Sequence, residues 1–337
     1  MPANDRTKNR LKFSCEALVL DEKLEIERIV NALQEGVYRR LRRKGAVVGI
    51  SGGIDSAVVF ALCVRAFGPE RVVGVLLPER ESSPESTLLA NELAARFGVQ
   101  TVTEEITAAL EGFGCYQRRN EAIRSLIPDY MPGWKVKIVL PGSLLEQETL
   151  NVFYLVVPGS SGSEIRKRLP PAAYYQIVAA SNFKQRARMS MLYYHAELRN
   201  YCVIGTANKN EHDLGFFVKH GDGGVDINPI VHLYKSQIFQ LAGALDVPES
   251  IQSRAPTTDT YPGGGTQEEF FFRLPFFVLD TIWFGYEQGI SKGEIASALS
   301  ISEEQVQRIM DDIVRKQRTT AFLRAEPIAV TDLEEAQ

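Results

Sequence analysis

The sequence predicts an α/β protein with a doubly wound parallel sheet. Short apolar segments of strand length alternate with longer segments whose apolar residues recur at helical spacing. The predicted strands are residues 46–50, 71–77, 99–106 and 201–204. The helices predicted around them are residues 20–43, 57–67, 83–97, 107–127, 174–200 and 233–245. This alternation is typical of a parallel sheet that carries helices on both faces.

Local signals give the boundaries of these elements. Apolar residues at a spacing of three to four make residues 20–43 an amphipathic helix that leads into the first strand. Pro78 ends the second strand, and Pro84 suits the first turn of the following helix. Gly112 and Gly114 are expected to break the helical segment that follows the third strand.

Residues 131–171 interrupt the alternation. Two β-like runs, 135–140 and 149–157, are followed by a Gly- and Ser-rich segment and by a basic patch at residues 166–168. We expect an inserted hairpin and loop here, with two ordinary strands of the main sheet as the alternative. Residues 274–322 are helical in pattern. Residues 1–270 are therefore expected to form one domain that contains the insertion, with residues 271–337 as its helical C-terminal extension.

Composition argues against several function classes. Hydrophobic residues make up 45% and charged residues 24% of the 337 residues, as in ordinary globular proteins. The net charge of −4 argues against a nucleic-acid partner, and no apolar run is long enough to span a membrane. The N-terminus lacks the apolar core of a signal peptide, so we expect a cytoplasmic protein. The four cysteines lack the spacing of a metal or redox site, and Cys63 and Cys202 are expected to be buried.

The most informative segment joins the first strand to its helix. Ser51, Gly52 and Gly53 form a small-residue turn that is followed by Asp55 and Ser56. Backbone N–H groups at such a junction point toward phosphate oxygens, and glycine permits close approach. A carboxylate repels phosphate unless a cation lies between them, so Asp55 indicates Mg²⁺ that bridges to a nucleotide. The alternative is an ordinary turn whose glycines serve packing.

The turn differs from two common phosphate-binding motifs. A Walker A loop would have a lysine after its last glycine, and a dinucleotide fingerprint would have three glycines at the spacing Gly-x-Gly-x-x-Gly. Neither pattern is present at residues 49–56. The segment therefore indicates a different class of nucleotide-binding turn.

A second cluster of polar residues follows the strand at 201–204. Thr206 and Glu211 come just past its carboxyl end, where open parallel sheets bind ligands. Thr206 can hold a nucleotide and Glu211 can be a second Mg²⁺ ligand; a capping threonine and a solvated glutamate are the alternative. The glycine-rich block at 215–229 favours backbone held close to a polar ligand. Lys235 opens a helix whose dipole disfavours a cation there, so we expect it to serve an anion.

Six motifs in order resemble the ammonia-dependent NAD synthetases of the ATP pyrophosphatase superfamily. They are Ser-Gly-Gly-Ile-Asp-Ser at 51–56, the segment of Asn182, Arg186, Arg188 and Met189, Gly-Thr-x-Asn-x-x-Glu at 205–211, the block at 215–229, Leu-Tyr-Lys at 233–235, and Pro-Thr-Thr-Asp at 256–259. The likeness covers residues 20–107 and 178–270, approximately. It implies a Rossmann-like fold of the adenine nucleotide alpha hydrolase type.

The resemblance implies a role for each matching residue. The ATP phosphates would lie against Gly49, Ile50, Ser51, Gly52, Gly53, Ile54, Asp55 and Ser56, and ATP would also contact Thr206, Lys235 and Thr257. Asp55 and Glu211 would bind Mg²⁺, and Asp55 and Lys235 would be the catalytic residues. The substrate deamido-NAD would contact Arg186, Lys219 and Asp226, and Lys316 is the counterpart of the family's C-terminal basic segment.

The implied reaction is the amidation of deamido-NAD, or nicotinate adenine dinucleotide. Its carboxylate attacks the α-phosphorus of ATP to give an acyl adenylate and pyrophosphate, and ammonia then displaces AMP to give NAD. Mg²⁺ and lysine would neutralise the charge that develops on the phosphates. The segment before residue 46 is too short for an amidase domain, so we expect free ammonia or ammonia from a separate glutaminase. A homodimer is also expected.

Three segments depart from the family pattern. They are the insertion at 131–171, the aromatic run at 270–277 that replaces an acidic stretch, and the basic segment at 315–318. All three lie where the acid substrate could be recognised. The substrate could therefore be another carboxylate, such as nicotinate mononucleotide. The aromatic run is expected to belong to the core or to a dimer interface.

A different class of function is suggested by residues 290–318, whose pattern resembles a helix-turn-helix. The segment that would enter DNA carries Glu303, Glu304, Asp311 and Asp312, which phosphate repels. A helical hairpin packed on the core is the better interpretation. Further alternatives are other ligases of the same superfamily, such as tRNA-modifying or asparagine-forming enzymes. Neither a strongly basic face nor an amidotransferase domain is seen in the sequence.

Overall fold

Four parallel strands form the central sheet. The computed structural model describes residues 13–140, 142–146, 152–158, 164–257 and 266–330. The strands are β1 (Ala46–Gly49), β2 (Val72–Leu76), β3 (Thr101–Thr103) and β7 (Cys202–Ile204), in the order β3-β2-β1-β7. Ala46 lies opposite both Val72 and Cys202, so the carboxyl ends of β1, β2 and β7 lie at one edge. The predicted parallel α/β architecture is confirmed.

Helices cover both faces of this sheet. The helices up to β7 are α1 (Glu22–Gln34), α2 (Ile54–Phe67), α3 (Pro84–Phe97), α4 (Thr107–Gly112), α5 (Cys115–Arg124) and α6 (Pro171–Arg199). The helices after β7 are α7 (Lys209–Leu214), α8 (Lys235–Ala244), α9 (Glu249–Gln252), α10 (Phe276–Glu287), α11 (Lys292–Leu299), α12 (Glu303–Thr319) and α13 (Ala321–Arg324). The glycine break predicted after β3 is confirmed, because Gly114 adopts φ +66° between α4 and α5.

Alternate residues of each strand point to opposite faces, which explains the apolar character of the strands. Ala46 and Val48 of β1 pack in a core with α1, α2 and α8. Val47 packs in a separate core with Met189 and Leu192 of α6. Cys63 and Cys202 are buried thiols, as expected. Both faces of the sheet are therefore closed by helices.

The insertion forms a sheet of its own. Strands β4 (Lys137–Val139), β5 (Tyr154–Pro158) and β6 (Glu164–Arg168) are antiparallel, in the order β4-β5-β6. Its apolar face packs on α5 and α6. An inserted hairpin separate from the main sheet is therefore confirmed by β4 and β5, and the sequence did not predict the third strand beside them. The basic patch is a third strand, because Arg166 pairs with Val156 and its guanidinium lies over the Tyr154 ring.

The C-terminal helices form a second core. Trp283 of α10, Ile295 of α11 and Ile309 of α12 are buried together. The predicted helical hairpin is confirmed, since the apolar faces of α11 and α12 are turned inward. Leu144, which follows β4, lies in the same core, and its carbonyl accepts a hydrogen bond from Arg308 at 2.9 Å. The insertion and the C-terminal helices are therefore packed against each other. None of the described helices has the length and apolar character needed to cross a lipid bilayer.

Candidate active site

The turn between β1 and α2 is held by its own hydroxyl groups. Ser56 Oγ donates to the Gly53 carbonyl at 2.9 Å, and the hydroxyl oxygens of Ser51 and Ser56 lie 3.2 Å apart. Gly52 adopts φ +73°, and a Cβ there would lie 2.6 Å from the Ser86 carbonyl oxygen. No side chain of the described residues caps the start of α2 at Gly53. The first N–H groups of α2 therefore remain available to an anion.

Asp55 lies in the first turn of α2 and is held by two side chains. Asn208 Nδ2 donates to Asp55 Oδ1 at 2.9 Å, and the Lys235 ammonium contacts Asp55 Oδ2. The Lys235 side chain is 0% exposed and that of Asp55 is 15% exposed. Removing either charge would leave the other one buried without a partner, which is costly. The pair is therefore a fixed feature of the site.

Glu211 lies beside this pair. It caps α7 together with Asn208, whose Oδ1 accepts from the Glu211 N–H at 3.0 Å. Gln267 Nε2 donates to Glu211 Oε1 at 3.1 Å. Burial, followed by the nearby Asp55 carboxylate, raises the pKa of Glu211 above its usual range. We call Ser51–Ser56, Asn208, Glu211 and Lys235 the cradle.

The cradle suits a magnesium ion. Two neighbouring carboxylates, Asp55 and Glu211, repel each other, and a divalent cation between them would remove that repulsion. Magnesium prefers oxygen ligands, often one or two carboxylates completed by substrate phosphates and water. Among the residues that the structure describes, no group of three or more His, Cys, Asp or Glu side chains could hold a metal. By their type and number, the Asp55 and Glu211 carboxylates fit a magnesium ion whose other ligands would be substrate phosphates and water.

A buried carboxylate supports the start of α8. Asp280 of α10 accepts from Asn210 Nδ2 at 2.5 Å and from the Ser236 N–H at 2.8 Å. Asn210 Oδ1 in turn accepts from the Lys235 N–H at 3.0 Å. Asp280 is 0% exposed, and burial raises its pKa to about 6. This chain of hydrogen bonds fixes the backbone from which the Lys235 side chain reaches Asp55.

A cavity of about 860 Å³ opens beside the cradle. It is lined by most of the residues predicted for the site: Gly49, Ile50, Ser51, Gly53, Ile54, Asp55, Ser56, Arg186, Thr206, Glu211, Lys219, Lys235 and Thr257. Its wall also contains aromatic side chains, such as Phe153, Tyr174 and Phe271. The cavity wall therefore combines polar and charged groups with apolar aromatic surface, as small-molecule sites commonly do.

Three predicted residues do not line the cavity in the described part of the chain. Gly52 lies behind the turn against Ser86. Asp226 accepts from the Val203 N–H at 2.8 Å and from the Tyr193 hydroxyl at 3.0 Å, so it braces β7. Lys316 is buried, with Nζ 2.8 Å from Asp312 Oδ2 and donating to the Phe271 carbonyl at 2.8 Å. The predicted substrate contacts of Asp226 and Lys316 stay predictions. Thr258 and Asp259 of the 256–259 motif lie outside the described residues.

Lys219 and Arg186 connect the cavity wall to the C-terminus. Lys219 Nζ donates to the carbonyls of Phe322 and Ala325 at 3.0 and 2.7 Å. Arg186 Nε donates to the Lys219 carbonyl at 3.3 Å. Phe322 itself lines the cavity. The segment that follows α12 therefore closes one side of the site.

Sequence reasoning missed three side chains of the site. Asn208 stood within a recognised motif, but its bond to Asp55 connects residues 153 positions apart. Asp280 is an acid within an otherwise apolar helical segment, which is a readable signal of a buried, hydrogen-bonded role. Arg254 donates to the Gly52 carbonyl at 3.4 Å and lines the cavity, and no local pattern in its loop predicts that contact.

Most of the aromatic side chains described in the run at 270–277 belong to the interior, and Phe277 is exposed. Phe272 and Phe276 are buried in the C-terminal core, and their ring centroids lie 4.9 Å apart. Phe271 packs against Phe216 and lines the cavity. The expected core role is confirmed for these residues. The side chain of Phe270 lies outside the described part.

Comparison with known proteins agrees with the motif analysis. The NAD synthase family model matches residues 25–126 and 162–323, which is more than half of the chain. The unmatched stretch between these ranges contains β4 and β5, so the family model omits most of the insertion.

Relatives of this chain match it over most of its length. The NH(3)-dependent NAD(+) synthetase of Rhizobium meliloti is 47% identical over 98% of both chains. The protein of the same name from Thermotoga maritima is 37% identical and covers 76% of this chain and 84% of its own. The solved structure of the NH3-dependent NAD synthetase from Campylobacter jejuni has a TM-score of 0.59 at 24% identity, over 92% of this chain and 100% of its own, and supports the fold. The predicted enzyme class, a ligase that forms carbon–nitrogen bonds, is confirmed by the family match. The chain belongs to the NAD synthase family.

Proposed function

We propose that this enzyme amidates deamido-NAD with ammonia, and that ATP activates the acid as an acyl adenylate. The observation that carries the proposal is the Asp55–Lys235 pair at the Ser/Gly turn, beside Glu211 and in the wall of a cavity of about 860 Å³. This arrangement suits a nucleotide whose phosphates must be held and whose leaving group must be neutralised. Membership of the NAD synthase family supports ATP as the co-substrate.

The turn binds and orients the triphosphate. Its backbone N–H groups and the hydroxyls of Ser51 and Ser56 are preset by hydrogen bonds within the turn. Preset donors need little reorganisation when charge moves in the transition state, which is why they accelerate phosphoryl chemistry. Lys235 holds a positive charge at a position set by Asp55 and by the buried start of α8. The charge would lie next to the phosphates rather than in solvent.

A magnesium ion held by Asp55 and Glu211 would supply further neutralisation of the phosphates when bound. The remaining steps need no protein nucleophile. A carboxylate oxygen of the acid forms a bond to the α-phosphorus, and the bond from that phosphorus to the bridging oxygen breaks. Pyrophosphate leaves with the electron pair. Ammonia then attacks the acyl carbon, loses a proton, and displaces AMP. The protein contributes mainly position and electrostatics.

The acid is expected against the part of the cavity wall that carries Arg186 and the aromatic side chains. Arg186 supplies a cation, and Phe153, Tyr174 and Phe271 offer flat apolar surface for rings. Phe153 and Tyr174 are stacked with centroids 4.3 Å apart, so this wall is preformed. An anionic dinucleotide with aromatic bases matches such a combination of charge and aromatic surface.

The test is product analysis with a panel of acids. The protein is incubated with Mg-ATP and ammonium and with deamido-NAD, nicotinate mononucleotide or nicotinate, one at a time. We expect AMP and pyrophosphate in equal amounts with NAD only when deamido-NAD is present. Turnover of the mononucleotide instead would change the substrate but keep the mechanism. Release of ADP and orthophosphate would overturn the mechanism.

A further inference from the structure

The turn of the cradle contains no cationic side chain of its own. The turn at Ser51–Ser56 has hydroxyl and N–H donors but neither lysine nor arginine. Lys235 is the cation at the Asp55 end, where its ammonium is shared with that carboxylate. The pyrophosphate that leaves ATP in the proposed reaction gains negative charge on the oxygen that had joined the α and β phosphates. Another cation at the turn would stabilise that charge.

Arg254 is positioned to be that cation. It follows α9, and its two terminal nitrogens donate to the Gly52 carbonyl at 3.4 Å and to Ser86 Oγ at 3.1 Å. Ser86 lies in the first turn of α3 and lines the same cavity. Arg254 therefore bridges the beginning of the turn to the neighbouring helix. Arg254 and Lys235 flank the turn, one at Gly52 and the other at Asp55.

The other cations of the described cavity wall are directed elsewhere. Arg188 Nε donates to the Leu77 carbonyl at 3.2 Å, and Arg186 Nε donates to the Lys219 carbonyl. The Lys219 ammonium is held by carbonyls of the C-terminal segment. Among the arginines and lysines that line the described wall, Arg254 and Lys235 are thus the two in hydrogen-bonding contact with the turn.

The chemistry of guanidinium fits this place. Arginine carries five N–H donors in a planar fork and binds phosphate oxygens in pairs. The contacts to Gly52 and Ser86 engage one N–H on each terminal nitrogen, so further donors can serve a ligand. Both contacts are made by neutral acceptors, and within the described residues Arg254 has no ion pair with a carboxylate. These contacts therefore leave its positive charge for a ligand phosphate.

We propose that Arg254 is a catalytic residue that binds the pyrophosphate portion of ATP and stabilises it as the leaving group. The inference rests on the proposed function, because it presumes cleavage between the α and β phosphates. As the α-phosphorus bonds to the acid, the electron pair of the broken bond stays on pyrophosphate. Arg254 neutralises part of that charge and does not exchange a proton, since guanidinium stays protonated in proteins.

The first experiment measures pyrophosphate binding by calorimetry in the presence of Mg²⁺, without any acid substrate. We expect Arg254→Gln to weaken pyrophosphate binding at least about 10-fold. Arg254→Lys keeps the charge but loses the planar pair of donors, so its affinity should lie between those of Arg254→Gln and the unmodified enzyme. Arg65→Gln is the matched control, because Arg65 is an exposed arginine in the last turn of α2. It should bind like the unmodified enzyme. Equal binding by the unmodified enzyme and Arg254→Gln would overturn the inference and leave the proposed function standing.

The second experiment measures steady-state kinetics with ATP as the varied substrate. We expect Arg254→Gln to lower kcat/KM for ATP about 100-fold, the size seen when one preset donor to a developing charge is removed. Ser86→Ala, which removes only the anchor of the guanidinium, should act in the same direction by a few-fold. It also serves as the second variant if Arg254→Gln does not fold. An Arg254→Gln enzyme that folds and works within twofold of the unmodified one would contradict the role.

Discussion

The cradle and the C-terminal unit differ in how they are built. We define the C-terminal unit as residues 144–145 and 268–319. The cradle starts from one strand, one turn and one helix that follow each other directly, and its contacts are polar and charged. The C-terminal unit is apolar, and its contacts join segments that are far apart in sequence. The two regions therefore differ in the chemistry of their contacts, which are polar and charged in the cradle and mainly apolar in the C-terminal unit.

The three departures from the family pattern meet in the C-terminal unit or at its border. The Leu144 N–H, from the insertion, donates to the Arg273 carbonyl at 3.3 Å, next to the aromatic run. Lys316, from the basic segment, donates to the Phe271 carbonyl. A core tolerates neither voids nor overlaps, so the side chains of these segments must fit one another. The three departures are therefore packed together in one part of the molecule.

The largest expected effect breaks the cradle. Asp55→Asn should lower turnover at least about 1,000-fold, because it removes the predicted metal ligand and frees the charge of Lys235. It should also destabilise the fold by about 3 kcal/mol, since the buried ammonium loses its partner. Steady-state kinetics and denaturant unfolding measure the two effects.

A double variant separates catalysis from folding in that experiment. Asp55→Asn with Lys235→Met removes both buried charges, so the free energy of unfolding should recover while turnover stays lost. Recovery of turnover in the double variant would argue that the pair serves only structure.

A second prediction concerns the link between the two regions. Asp280 belongs to α10 of the C-terminal unit but holds the start of α8, next to Lys235. Asp280→Asn replaces one acceptor by a donor and should lower kcat about 10-fold, with a smaller effect on KM for the acid. Asp311→Asn, an exposed acid on α12, is the matched control and should be neutral. An unchanged kcat for Asp280→Asn would show that Asp280 does not link the C-terminal unit to the function of the cradle.

A third prediction distinguishes the two interpretations of Lys316. The family resemblance implies a substrate contact, whereas the side chain is buried against Asp312 and Phe271. If Lys316 serves the C-terminal unit, Lys316→Met lowers the free energy of unfolding by about 3 kcal/mol and changes kcat/KM for deamido-NAD less than threefold. A selective rise of KM for the acid in a stable variant would instead support the substrate contact.

The smallest effect is a pH dependence of the C-terminal unit. Asp312 contacts Lys316, Arg315 and Arg273, and although burial opposes its ionisation, these cations hold its pKa below the usual 3.8. Because the pKa of Asp312 is lower in the folded state than in the unfolded state, the ionised carboxylate stabilises the fold at pH values above the unfolded pKa. This stabilisation is lost as the pH falls from the unfolded pKa through the folded pKa. Unfolding free energy should therefore decline below about pH 4 by up to about 1.4 kcal/mol per pH unit. Asp312→Asn should flatten this decline, and an equally steep decline in that variant would contradict the assignment.

The sequence predicted what local patterns control. Apolar residues at a period of two or 3.6 predicted the strands of the main sheet and the helices around it. The Ser/Gly turn was predicted because it lies between a predicted strand and a predicted helix. Strand β6 was missed because most of its residues are charged and exposed, so no alternation of apolar and polar residues marks it as a strand. The bonds from Asn208 to Asp55 and from Asp280 to Ser236 were also beyond reach. They depend on how distant elements meet, and a single sequence carries no local signal for such contacts.

The most direct test of the central claim is exchange of labelled pyrophosphate into ATP without ammonium. If the cradle transfers AMP onto the acid, exchange requires deamido-NAD and Mg²⁺ and is lost in Asp55→Asn. Exchange that proceeds without any acid, or its absence in an enzyme that makes NAD when ammonium is added, would contradict a reversible adenylation at this site.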